Sequence, residues 1–195
     1  SGTSSTNNTY SRTTAKTYMT NHYATGTFNA NYPDFTGSGG DCTNFASQVV
    51  KAGGMGHLGN FSNRDAITSW FCTSSVMNTN NYSATWTLAN KFTQHWGTNS
   101  LGSGNKRAYE CKYILGQDLY DNFSTLISNI AVGDIIQMTN NADTSRYHSL
   151  IVYSKTSSAV TLAAQTNNTN NRSLKTDAQN NPTMMFVIIR IKSAA

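Results

Sequence analysis

The sequence predicts an α+β fold, with N-terminal helices packed on a C-terminal antiparallel sheet. Three observations lead there. Up to Trp96, apolar residues recur at three- and four-residue spacing, the period of a helix face. From Ile135 onward they form short runs separated by polar turns, as strands do. The two patterns are segregated along the chain rather than alternating, which favours α+β over a doubly wound sheet. No internal repeat or composition shift divides the chain, and its 195 residues suffice for one domain with a core of its own. Residues 10–195 are read as that domain. Residues 1–9, rich in Ser, Thr and Asn, are read as a linker or flexible N-terminus. No signal-peptide pattern is read, so the lead looks like the stub of a mature or excised module.

Over residues 10–25, Ala15, Tyr18, Met19, His22 and Tyr23 mark one face of a first helix. The segment NANYPDFTGSGG is a loop. Cys42, Phe45, Ala46, Val49 and Val50 define a second helix with Asp41 as N-cap, stopped by Gly53-Gly54. Residues 55–83 are irregular, anchored by Trp70 and Phe71. SATWTLANKFTQHW, 83–96, reads as a third helix with Leu88, Phe92 and either His95 or Trp96 inward. Residues 97–118 carry little pattern. NFSTLISNI is a short helix, VGD a turn, and IIQM a strand. HSLIVYS and AVTLAAQT are two further strands joined by a short turn. Residues 167–183 read as a polar loop, and MMFVIIRI as the last strand.

Charged residues make up only 12% of the chain, about half the usual share of about 25%. Asn, Thr and Ser take their place, a composition read as extracellular. The net charge is +5, but Lys and Arg are scattered and no aromatic–basic ladder appears. Nucleic-acid binding is therefore not expected, while a mildly positive surface suits an anionic wall polymer or serves solubility alone. No apolar run reaches the roughly 18 residues of a membrane helix. An extracellular setting predicts a Cys72–Cys111 disulfide with Cys42 left free; the alternative is three thiols. No CxxC or HxH spacing suggests a metal, and no cofactor is expected.

The chemistry centres on Gly-Gly-Asp-Cys-Thr-Asn-Phe. A helix start places Cys42 beside a positive dipole end and unbonded backbone N–H groups, which favour thiolate and can receive an oxyanion. The alternative is a small apolar residue beneath a helix. Among the histidines, His22 falls on a helix face, His57 in an exposed or mobile Gly-rich loop, and His95 beside Trp96 at a helix end. His148, which opens a strand after a polar loop, is the candidate base. A symmetric turn between the two following strands pairs Val152 with Thr161 and sets His148 opposite Gln165, with Asn167 diagonally beyond. Either amide oxygen could then orient the imidazole. Tyr32, Tyr147 and Trp70 are candidates to line a substrate groove; Trp86 is read as core.

DCTNFASQVVKAGG followed by a strand-opening His resembles the bacterial putative amidase domain family, grouped with NlpC-type and CHAP-type papain-like cell-wall hydrolases. YSRTTAKTYMTNHYA, NYPDF, SATWTLANKF, VGDIIQM and AAQTNNTNNRSL resemble further segments of that family, so the likeness covers about residues 10–175. The resemblance implies a papain-like fold, Cys42 as nucleophile and His148 as base. The third position departs: Gln165 stands where the family often has His, and Asn168 where it often has Asp. The CHAP-type acid followed two places on by Asn here reads Gln165-Thr166-Asn167. The resulting expectation is a secreted cysteine amidase or endopeptidase that cuts peptidoglycan or peptide amides and is compatible with attachment to other wall-binding domains. Two alternatives stand beside it: a non-catalytic wall- or protein-binding module on the same fold, suggested by Gln165, and a papain-like toxin acting on host protein amides.

Overall fold

A computed structural model of the chain describes residues 10–97, 107–139, 146–165 and 167–192. The expected linker, residues 1–9, lies outside them. The fold is α+β. Among the described residues six strands form one sheet in the order β1-β6-β2-β3-β4-β5, and every neighbouring pair is antiparallel. The strands are β1 (Ala108–Leu115), β2 (Ile135–Thr139), β3 (Arg146–Lys155), β4 (Val160–Ala164), β5 (Thr169–Ser173) and β6 (Met185–Ile191). Helices cover both faces. On one, α1 (Arg12–His22), α2 (Asp41–Ala52), α3 (Ala84–Thr87) and α4 (Ala89–Gly97) pack over Ile135, Ile151, Ala163 and Val187. On the other, α5 (Gly116–Asp121), α6 (Phe123–Leu126) and α7 (Leu174–Asn180) cover Ile136, Leu150, Leu162 and Ile188. Strand alternation divides the apolar residues between the two layers. Among the described residues no helix is long and apolar enough to cross a membrane.

The central element is α2, buried at every residue from Asp41 to Val50. Its N-cap is Gly40, not Asp41. Gly40 has φ 98°, and a Cβ there would lie 2.9 Å from the Thr87 carbonyl oxygen. Only glycine fits both the left-handed backbone and the close approach. Helix α1 is capped by Ser11, whose hydroxyl accepts from the Thr14 N–H, and buries Ala15 and Met19 as the spacing required. Arg12 donates to Asp134 Oδ1 at 2.7 Å, and Asp134 also accepts from the Ala131 and Ile191 N–H groups. The Gly-Asp turn is thereby tied to α1 and to the end of β6.

Several expectations are corrected. The helix expected over 83–96 is broken at Leu88, which is exposed, while both His95 and Trp96 are buried. The polar segment 167–183 contains β5 and α7. Its strand is the last in the sheet, so it needs no apolar alternation to hold its place. The Cys72–Cys111 disulfide is absent, and all three cysteines are thiols. Cys72 lies in a short bridge with Tyr82, its Sγ directed at the Ser74 carbonyl; Cys111 sits in β1, packed on Gly97.

Candidate active site

Each residue of the α2 motif has a separate structural task. Asp41 opens the helix and Cys42 follows it, with the first intrahelical bond running from the Asn44 N–H to the Gly40 carbonyl. The N–H groups of Asp41, Cys42 and Thr43 precede that bond and point out of the helix end. Thr43 Oγ1 lies 2.9 Å from Ser149 Oγ, joining α2 to β3. Asn44 accepts from Trp86 Nε1 at 2.9 Å and donates to the Pro33 carbonyl at 3.1 Å. Phe45 and Ala46 are core. Ser47 donates to the Trp86 carbonyl and accepts from Trp70 Nε1. Gln48 accepts from the Tyr18 hydroxyl at 2.6 Å. The motif thus fixes α2 against α1, α3, the Pro33 loop and the sheet, leaving Cys42 as its one thiol.

Cys42 is 8% exposed, and its Sγ lies 3.9 Å from Thr43 Oγ1. Two cavities share Asp41, the residue before Cys42, and Gln165 in their walls. One, of about 350 Å³, is bounded by Phe35, Thr36, Gly39, Gly40 and Asn167. The other, of about 210 Å³, is bounded by Asn29, Tyr32, Pro33, Asn44 and Gln48. Asp41 Oδ1 accepts from Asn44, whereas Oδ2 is buried without a hydrogen bond, and burial raises the carboxyl's pKa. A further cavity of about 380 Å³ follows the outside of α1 along Arg12, Lys16 and Thr20, with no thiol, imidazole or carboxylate among the described residues of its walls.

The structure does not bring all the candidates together. Strands β3 and β4 pair Val152 with Leu162 and Ile151 with Ala163, one residue out of the expected register. Nearer the turn Ser154 pairs with Thr161 and Lys155 with Val160, two residues out of the expected register, and an irregularity between Val152 and Ser154 takes one residue back. A one-residue slip exchanges faces. Continued along the strands, the observed register sets Gln165 across from Ser149, on the α2 side. There Gln165 Nε2 donates to the His22 carbonyl at 2.9 Å. His148 pairs with Met138 and shares the face of Leu150, on the α7 side. Its Nε2 lies 3.3 Å from Arg172 Nη1. Among the described residues no hydrogen bond joins His148 to Cys42 or to Gln165. Burial and, after it, the Arg172 charge push the His148 pKa down to about 4, with Asp177 opposing.

Asn167 is exposed at the mouth of the larger cavity, with φ 59°. Tyr32 stacks on Trp86 and lines the smaller cavity. Trp70 is corrected: it is wholly buried, packed against Trp86 and Trp96, and is absent from the described walls of these cavities. The side chain of Tyr147 lies outside the described residues. His57 is half-buried and edge-on to Trp70 and Trp86, not an exposed loop residue. Sequence reasoning missed Thr43 and Ser149, whose hydroxyls give no pattern, and Arg172 with Asp177, which sit in a segment read as loop.

A family model described as a putative amidase domain matches residues 9–189. No curated protein matches the chain, and no solved structure matches it.

Proposed function

The chain belongs to the putative amidase domain family, and from that premise we propose that it hydrolyses amide bonds with Cys42 as nucleophile on a papain-like scaffold. The observation that carries this reading is the Thr43–Ser149 hydrogen bond. It fastens the helix turn that holds the thiol to the strand that holds His148, one residue along in each case.

The Cys42 thiolate attacks the amide carbonyl carbon. The free N–H groups at the start of α2 receive the oxygen as it gains charge. His148 takes the thiol proton and delivers it to the leaving amine, and water then hydrolyses the thioacyl intermediate. In this sequence of steps the imidazole first leaves Arg172 and turns to the thiol. Gln165 and Asn167 stand at the groove beside Asp41, where Gln165 is proposed to hold substrate or the catalytic loop. Tyr32 and Tyr147 are proposed as substrate contacts.

The proposed substrate is a stem or cross-bridge amide of peptidoglycan, with the protein acting outside the cell at the wall. The low charge and the weakly positive surface support that reading. Mass spectrometry of peptidoglycan digested by the wild type, with Cys42→Ala alongside, tests it and identifies the bond. Intact stems after wild-type digestion would remove the wall substrate.

A second reading, a non-catalytic binding module, is favoured by two specific contacts: His148 bonded to Arg172 and Gln165 bonded to the His22 carbonyl. It predicts equal wall binding and no bond cleavage by the wild type and Cys42→Ala.

A further inference from the structure

Among the described residues no hydrogen bond joins Cys42 to its proposed base, and the group that holds His148 is defined. Arg172 on β5 donates from Nη1 to His148 Nε2 at 3.3 Å. The same guanidinium grips Asp177 of α7 twice, from Nε at 2.7 Å and Nη2 at 3.1 Å. Nη2 also faces the Met138 sulfur at 3.6 Å. The Arg172–Asp177 pair is only partly exposed, and α7 is anchored by Leu174 and Ala178 in the core beneath it. The guanidinium is therefore fixed from two elements.

We infer that Arg172, braced by Asp177, is a positioning residue that latches the His148 imidazole in its Nδ1-protonated form, with Nε2 occupied. A guanidinium offers donors and no acceptor. Nε2 must then be the accepting nitrogen, and the single proton of the neutral ring sits on Nδ1. In that state the Nε2 lone pair is occupied by Arg172 and Nδ1 has none. The ring has no site for the thiol proton until the contact opens.

The charged groups that act on this ring are Arg172 from β5 and Asp177 from α7. On the same face β2 contributes Met138, and β4 contributes Leu162 and Ala164, all apolar. Burial and the guanidinium both disfavour imidazolium, so the latch also holds the ring neutral. The inference rests on His148 as base for its consequence in turnover, but not for the tautomer itself.

The test is nitrogen-resolved NMR of histidine-labelled full-length protein, with Arg172→Met and Arg172→Lys. The wild type should show His148 protonated on Nδ1 at neutral pH. Arg172→Met should lose that preference and raise the titration midpoint by about one pH unit or more, whereas Arg172→Lys, still a cationic donor, should keep both. On an amide substrate, Arg172→Met should raise kcat on the order of tenfold, the release of one charge-assisted hydrogen bond. A wild-type ring protonated on Nε2, or an Arg172→Met spectrum and midpoint unchanged, overturns the latch. Full turnover in His148→Ala would instead remove His148 as base, and the nitrogen spectra would still decide the latch.

Discussion

The hydroxyls of Thr43 and Ser149 lie 2.9 Å apart, so the residue after the proposed nucleophile is bonded to the residue after the proposed base. Both are buried, and Ser149 also accepts from Gln137 Nε2 at 3.1 Å. Thr43→Val keeps the shape and removes the bond. It should destabilise the protein by about 1–3 kcal/mol and lower kcat more than it raises KM. Urea unfolding and steady-state kinetics on the same variant check both parts; an unchanged midpoint would mean the bond carries no load.

Gly40 sets the entry of α2. Alanine there meets the Thr87 carbonyl oxygen at 2.9 Å and must adopt φ 98°. Gly40→Ala should lose about 1–3 kcal/mol from backbone strain alone and should impair turnover through displacement of Cys42. Thermal unfolding and the rate of Cys42 alkylation measure the two effects separately.

Acid should weaken the fold. Burial pushes His57 down to about 4, His95 to about 3 and His148 to about 4. All three fall below the unfolded value of about 6.5. The unfolded chain therefore binds more protons as pH falls from there, and stability declines with it. The stabilisation is present above about pH 6.5 and is lost as pH falls towards about 4 for His57 and His148 and about 3 for His95. Urea midpoints measured from pH 8 to 4.5 should drop over this window. His148→Gln should make the decline shallower, and a flat profile would count against neutral buried rings.

Legibility in the sequence followed the physics of each segment. Helix α2 was readable because its apolar spacing and flanking glycines agree, and its polar residues, Asn44, Ser47 and Gln48, proved to be the ties that fix it. Strands β2, β3, β4 and β6 were readable as apolar runs. Their register was not, because the hairpin turns later than a symmetric turn would and an irregularity beyond Val152 then takes back one residue, which leaves Gln165 off the His148 face. Strand β5 was hidden because an edge strand of Thr, Asn and Arg looks like loop. With it went Arg172, the residue that His148 meets. Trp70 was misread as a groove residue because a large aromatic in an irregular segment fits a groove or a core equally well.

The central claim is that Cys42 carries amide hydrolysis. Its most direct test is turnover of an amide substrate by the wild type, Cys42→Ala and iodoacetamide-treated enzyme, with intact-mass spectra of acid-quenched mixtures. Cys72, buried and with its thiol pKa raised by burial to about 11, is a poor target for the reagent. The account predicts an acyl adduct mapped to Cys42, loss of turnover on alkylation of that residue, and no turnover in Cys42→Ala. Turnover that persists in Cys42→Ala would contradict it.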